Sequence, residues 1–600
     1  MPHPPDDSEN RSPKRSGRDR VRQWLGHPLA LAFSVLASAA LAAGTLDDEF
    51  TFDDRVHRAI VHRASSLLHG GPFDLFRTAT GNPTQVGPLV DSGAFPWFTQ
   101  PELKVAFWRP IASAWHTVDY SLWPNAAWFM HAENLFIYAI LVALVGLFLR
   151  SIMSCDWAAG AAAFLYAVDE AHAGAVGWIA ARNGLLAATF ALATLLLHHT
   201  STTASTKART PTRHVLLVLG ATASFAAALA SSELAVGVLG YLFAYVVLLD
   251  DRLPRARLAS VLPYLVVATV WTVAYRSLGY GVSGSGYYVD PMTDPFAFAV
   301  ALTHNGPSLL VLALGLPSAI VTWMGNMPWI RAIVPVASVL LFVGVMVPVL
   351  WRDRVARFFA LGLLLSLACV CGTLPQGRLL LLASVGAVGL IARLAVVLSA
   401  SDRGSRKWRV GAWALLTLML LAHAVIAPLA FPQEASAKAR EAKANQGAIR
   451  NARVHGSWGG RTLVLVRAPH AFSSAEFLFD PDDASSAPSR VRALHMGPGP
   501  VVLSRSGPNL LTVHDPGGML REPVSWLFHG IQHPFRPGAR VALDAVAFEV
   551  VSVTSGGRPT TVLCRFDRPL EDSEHVWLTW RAGRYLPFEP PKDGERVVVP

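Results

Sequence analysis

The sequence predicts an α-helical polytopic membrane protein that carries a C-terminal all-β extracytoplasmic domain. Three observations predict it. Apolar residues fill 52% of the 600 positions and charged residues 15%, against about 25% charged in an ordinary soluble domain. Apolar runs recur at about 20 residues, the length that crosses a hydrocarbon layer. After residue 430 these runs give way to short alternating ones broken by Gly, Pro and Asp, the period of half-buried strands. With a mean hydropathy of +0.37, the composition excludes a cytosolic enzyme, a disordered chain and a collagen-like fibre. Four cysteines exclude a disulfide framework. The net charge of +10 fits Lys and Arg gathered in cytoplasmic loops and asks for no nucleic-acid partner.

The elements follow in order. Residues 1–27 carry Arg11, Lys14, Arg15, Arg18, Arg20 and Arg22 among Pro, Ser and Gly, which predicts a disordered basic cytoplasmic tail. The run from Pro28 to about Gly44 reads as a retained anchor, although its basic flank and small-residue end also resemble a signal peptide. It opens a polytopic membrane domain over 28–430. Residues 45–127 form a first extracytoplasmic loop too long to be a plain connector. Further runs lie near 134–150, 157–172, 178–198, 214–231, 233–250, 258–276, 331–350, 357–371, 378–399 and 410–430. Basic clusters at Lys207–Arg213, Arg252–Arg257, Arg352–Arg357 and Arg403–Arg409 fall on the inner side if 296–324 does not cross. That stretch is therefore expected to be re-entrant, bent at Pro307 and Pro317. The result is about 11 transmembrane helices plus a re-entrant element, with the N-terminus cytoplasmic. Residues 431–454 read as a helical linker, and 455–600 as a separable β-rich domain on the extracytoplasmic side.

Candidate chemistry gathers at the outer face. Just past the first helix lie Asp47, Asp48, Glu49, Asp53 and Asp54, followed by Arg55, His57 and Arg58. Carboxylates this close raise one another's pKa, and such a cluster suits a general base set against a phosphate-bearing substrate. Arg109 precedes the stiff Pro110, and a guanidinium suits bidentate phosphate binding. His131 and Asn134 share a helical face at i,i+3. Asp169, Glu170, His172 and Arg182 surround one outer turn, Glu233 opens an outer helix end, and Arg378 sits at another outer edge. An ionisable group at membrane depth is a functional candidate by default, and all of these map to one side, as a single pocket requires. No Walker A loop, dinucleotide fingerprint, HExxH or CxxC is present. The cofactor is thus left unknown. A divalent metal has no support, and no metal ligand is named.

The motifs that carry these residues are ordered. "TFDDRVHRAI", "FWRPI", "FMHAENLFIY", "FLYAVDEAHAGAVGWIAARNGLLAATFALATLLLHH", "SSELAV" and "GRLLLLASVG" follow one another. Together they resemble the GT-C glycosyltransferases, in particular the bacterial O-mannosyltransferase-like branch often attached to TPR repeats. The resemblance covers roughly residues 28–400, and residues 431–600 resemble no family. Asp169-Glu170 stands where the branch often carries His-Pro, and Ser232-Glu233 where it often carries Lys-Glu. The resemblance implies a GT-C-like membrane glycosyltransferase of the bacterial inner membrane that transfers a sugar from a polyprenyl-phosphate-linked donor. The acceptor would be a protein, a lipid or a polysaccharide on the outer face. Asp53 would be the catalytic carboxylate with Asp54 beside it. Arg109, Arg182 and Arg378 would hold phosphate, and His131, Asn134, His172 and Glu233 would contact substrate. The alternatives are a transporter, which should show midplane charges and inverted repeats, and a non-catalytic scaffold whose β domain binds a partner or glycan.

Overall fold

A computed structural model of the chain describes residues 17–204, 210–324, 327–400, 404–454, 458–479 and 487–600. Its helices begin where the sequence supplies a start. Proline opens the helices at Pro28, Pro110, Pro211, Pro254 and Pro295, where its missing N–H would be unpaired in any case. Asp353 caps the helix that follows it, accepting from the Val355 and Ala356 amides at 2.9 and 3.1 Å.

Among the described residues nine helices are long and apolar enough to cross a membrane. They are Pro28–Asp47, Ala127–Ile152, Ile179–Thr203, Pro211–Ser231, Pro254–Ser277, Pro295–Ala313, Trp329–Arg352, Ala383–Ala400 and the run Arg406–Arg453. Leu262, Leu265, Val266, Val270 and Val273 stand exposed on Pro254–Ser277. An uncovered apolar face of that extent belongs in lipid, and the chain is an integral membrane protein.

The structure departs from the expected map in three places. Three expected crossings are shorter helices, Asp156–Ala167, Glu233–Leu248 and Arg354–Ala368. At 1.5 Å per residue even the longest, Glu233–Leu248, reaches only about 24 Å, short of a core of about 30 Å. Second, 296–324 is expected not to cross, yet Pro295–Ala313 is one continuous helix long and apolar enough to span, with Pro307 inside it, a lost backbone bond that membrane helices tolerate. The turn comes instead at Gly315, whose φ of +98° a side chain would resist, before the short helix Ser318–Met324. Third, the basic tail is not disordered throughout. Residues 1–16 lie outside the described residues, but Gly17–Gly26 is helical, with the Arg22 guanidinium 5.0 Å above the Trp157 ring.

Beyond the membrane helices lie three sheets. A small antiparallel sheet joins β1 (Arg77–Thr80), β2 (Lys104–Ala106) and β3 (Gly281–Ser283), with Lys104 opposite both Thr80 and Ser283. The C-terminal region adds β4 (Thr462–Ala468), β5 (Arg490–Met496), β6 (Val501–Arg505), β7 (Leu510–His514), β8 (Arg540–Leu543), β9 (Val546–Val553), β10 (Pro559–Phe566), β11 (His575–Arg581), β12 (Arg584–Pro587) and β13 (Arg596–Val599). They form a six-stranded antiparallel sheet, β13-β6-β7-β10-β9-β8, and a four-stranded sheet, β12-β11-β4-β5. In the second sheet β4 runs parallel to both neighbours, so β4 and β5 need a crossover, and the helix Ser473–Leu478 lies in it.

The C-terminal sheets do not stand apart from the first loop. Val86, Leu89, Val90, Phe95 and Trp97 share one buried core with Leu463, Leu494, Phe548 and Val562. Trp97 stacks on Phe548 at 4.8 Å. A Cβ on Gly93 would fall 1.9 Å from the Val491 carbonyl oxygen. Buried Arg492 donates to the Asp91 carbonyl at 2.7 Å and the Asp544 carbonyl at 2.6 Å. The separable domain expected over 455–600 is therefore completed by residues from 79 to 105. The helix Ala437–Arg453, in the expected linker, contributes Ala448, Ile449 and Ala452 to the same core.

Candidate active site

Asp53 and Asp54 begin the helix Phe52–Val61, five residues beyond the first span, and the helical turn sends them opposite ways. The Thr51 amide and hydroxyl both donate to Asp54 Oδ2, at 2.8 and 2.7 Å. The Ala180 amide donates to its Oδ1 at 2.8 Å. A fully buried carboxylate with these three donors caps its helix and ties it to the start of Ile179–Thr203. Asp54 thus spends its oxygens on protein donors and does not line the cavity that Asp53 enters.

Asp53, Val56, His57 and Ile60 follow the i, i+3, i+4, i+7 face and line a cavity of about 380 Å³. Burial, and then the adjacent Asp54, push the Asp53 carboxyl up to about 6 against the pull of Lys438 and Arg378. Burial, helped by Arg109, pushes His57 down to about 4, so its ring is neutral at neutral pH.

Arg109 and Arg378 reach the same cavity. Arg109 donates from Nε to Glu233 Oε2 at 2.8 Å, and its guanidinium lies 4.4 Å from the Phe107 ring and 5.0 Å from the Phe76 ring. Arg378 donates from Nε to Gln376 Oε1 at 2.6 Å and sits 4.7 Å over Trp178. Among the described residues no carboxylate lies within ion-pair distance of Arg378, so its charge is left for a ligand. Tyr287, which receives a hydrogen bond from Gln376 Nε2, and Tyr288 complete this charged wall. Asp53 follows the span ending at Asp47, and Arg378 precedes the span beginning at Ala383. The wall is thus assembled from the ends of membrane helices.

The remaining expected residues are elsewhere. Arg182 is fully buried and its anions are protein carboxylates: it pairs with Asp119, and with Glu133 at 3.0 Å. It also donates to Asn134 Oδ1 at 2.7 Å and to the Met130 carbonyl at 2.8 Å. Asn134 donates in turn to the Val176 and Trp178 carbonyls at 3.1 and 3.3 Å. Arg182 and Asn134 therefore knot the helices together, and neither lines the cavity. His131 is buried among them. His172 contacts the Tyr138 hydroxyl and the Tyr166 carbonyl, each at 3.1 Å, and does not line the cavity. Glu233 does not line the cavity and meets it only as the ion-pair partner of Arg109.

Several cavity residues escape a motif-based reading. Lys438, Glu441 and Asn445 line the cavity from the helix Ala437–Arg453, and His470 and Glu476 from the C-terminal region. The signal for the first three was their i, i+3, i+7 spacing in a stretch that composition alone marks as a linker. Asp119 and Glu133, the partners of Arg182, are not singled out by that reading, although Glu133 lies between His131 and Asn134. Among the described residues no three His, Cys, Asp or Glu converge to hold a metal ion.

No family model matches the chain. It is 29% identical over 274 residues to the Protein O-mannosyl-transferase Tmtc2 of Drosophila melanogaster, an alignment covering 42% of this chain and 27% of that protein. The chain thus spans about a quarter of the length of the curated relative it matches. It is also similar to the archaeal oligosaccharyltransferase AglB from Archaeoglobus fulgidus, solved with an inhibitory peptide and a dolichol-phosphate. There the identity is 13% and the TM-score 0.39, over 79% of this chain and 65% of that one. ArnT from Cupriavidus metallidurans, bound to undecaprenyl phosphate, is 14% identical with a TM-score of 0.36, over 78% of this chain and 89% of that one. The sequence relative carries the name of the O-mannosyltransferase branch that the motifs resemble.

Proposed function

We propose that this chain is a membrane glycosyltransferase of the GT-C type that moves a sugar from a polyprenyl-phosphate carrier to an acceptor hydroxyl. One observation carries the reading. A carboxylate held near neutrality, Asp53, shares one cavity at the ends of membrane helices with two arginines that keep donors free for an anion. The similarity to an O-mannosyltransferase supports it.

The chemistry divides among the walls. Asp53, ionised above about pH 6, accepts the proton of the acceptor hydroxyl as its oxygen attacks the anomeric carbon. The bond from that carbon to the phosphate oxygen breaks, and negative charge grows on the lipid phosphate. Arg378 and Arg109 meet that charge in a site where little water competes with them. Phe107 and Phe76 hold the Arg109 guanidinium between aromatic rings, so its fork is oriented before the ligand arrives. The carrier's tail lies in the bilayer, which explains a transferase embedded in membrane helices. The cavity and the C-terminal sheets face the extracytoplasmic side of a bacterial inner membrane, with the N-terminus inside.

The test is mass spectrometry of surface glycans from cells with and without the gene, complemented by the parental protein or by Asp53→Asn. The expected result is a sugar that disappears with the gene, returns with the parent and stays absent with the variant. Identical glycans in all strains would contradict the proposal.

A further inference from the structure

The cavity has a second wall that the transfer chemistry leaves unused, and it differs in kind from the first. Asn445 spends its amide group twice, donating to Glu476 Oε1 and to His470 Nε2, each at 3.1 Å. Because the amide nitrogen can only donate, His470 accepts at Nε2 and carries its proton on Nδ1. The Asn445 carbonyl oxygen has no protein partner among the described residues. Glu476 is 7% exposed, and burial pushes its carboxyl up to about 7. It therefore holds its proton over part of the neutral range, while burial keeps His470 neutral by pushing it down. The floor is aromatic. The Phe472 ring lies 5.5 Å from Phe52, the residue before Asp53, and 5.3 Å from Phe528. The nearby Lys438 is paired with Glu441 at 2.9 Å.

Neutral groups that donate and accept, set beside aromatic faces, suit a ring whose edge carries hydroxyls and whose face is C–H. A phosphate or carboxylate gains less here than beside Arg109 and Arg378, because among the described residues the lysine of this wall is already paired with a carboxylate. We infer that Asn445, Glu476 and Phe472 form the subsite that selects an uncharged, hydroxyl-bearing sugar ring, while Arg109 and Arg378 take the phosphate. This rests on the reading of the cavity as a sugar-transfer site. The ring belongs to the lipid-linked donor or to a carbohydrate acceptor.

The test uses the full-length protein in lipid nanodiscs and three probes: undecaprenyl phosphate, its hexosyl derivative and a neutral hexose oligosaccharide. The parent should bind the hexosyl lipid more tightly than the bare lipid phosphate. Asn445→Ala and Glu476→Ala should each erase at least tenfold of that preference and leave the bare lipid phosphate unaffected, which also reports that the variants are folded. Glu476→Gln, which still donates and accepts, should retain the preference. Variants that keep the lipid preference but lose the oligosaccharide would place the ring on the acceptor, with the subsite upheld. Alanine variants that match the parent on all three probes would overturn the subsite alone. A parent that binds neither lipid would overturn the proposed function and the subsite with it.

Discussion

Two regions of this molecule are built from the same residue types and do opposite things. Outside the cavity lining, Arg182, Asn134, Asp119 and Glu133 form a knot and Asp54 a separate cap, in each of which the charge meets protein. On the cavity wall Asp53, Arg109 and Arg378 keep bonding capacity that the protein does not use. Asp53 and Asp54 are adjacent in sequence and fall one in each region. The difference teaches that a functional charge is recognised by what its environment leaves unmade. A saturated charge is architecture, however conspicuous its motif.

The comparison is broken most easily at the arginines. Arg182→Met removes the cation from Asp119 and Glu133 and should cost about 3–5 kcal/mol, read as a large fall in melting temperature and yield. Arg378→Met abandons no ion pair and should melt like the parent. Equal losses in both would erase the distinction. Next comes the seam between the first loop and the C-terminal sheets. Trp97→Ala takes away the stack on Phe548 and should cost about 3–5 kcal/mol, with faster proteolytic release of the C-terminal region as the readout. Parental resistance would mean that the shared core is incidental.

How far the sequence reached is clearest from particular residues. Membrane helices were legible because apolar runs of spanning length have no soluble alternative, and strand alternation marked the C-terminal region. The Asp53 face was legible from its place after the first helix and its i, i+4 partner His57. Arg182 was misread, since its anions come from Asp119 and Glu133, 63 residues and 49 residues (182 − 133) away along the chain. No local pattern reports such a pairing. Pro307 misled for a related reason. A proline marks a possible break, but the helix continues through Pro307. Lys438, Glu441 and Asn445 were hidden by composition, which described their segment correctly as helical but gave no hint of what it packs against.

A smaller effect sharpens the cavity side. Arg378→Lys keeps the charge and loses the fork. It should weaken binding of undecaprenyl phosphate by about 1.5–3 kcal/mol, the usual worth of a charged hydrogen bond, or about 10- to 100-fold, with the melt unchanged. Unaltered affinity would remove Arg378 from the phosphate site.

A further effect is on stability against pH. The Asp53 carboxyl is raised in the folded protein to about 6 from its ordinary 3.8, so the folded state binds more protons than the unfolded state between those values. Stability from this group therefore falls as pH rises from about 3.8 to about 6, and the penalty persists above. Asp53→Asn should raise the melting temperature above pH 6 and change it little near pH 3.8. A variant that melts lower than the parent at pH 7 would make Asp53 a structural carboxylate like its neighbour.

The most direct test sets the adjacent acids against each other. Sugar transfer and melting temperature are measured for Asp53→Asn and Asp54→Asn in the full-length protein at pH 7, with transfer expressed per folded molecule. Asp53→Asn should lose about 10²–10⁴-fold in rate, the usual loss for a general base, while melting at or above the parental temperature. Asp54→Asn should melt lower, because its amide nitrogen cannot accept and abandons either the Ala180 amide or the two Thr51 donors, and retain most of its transfer per folded molecule. Parental transfer by Asp53→Asn, together with a stably folded but inactive Asp54→Asn, would contradict the account.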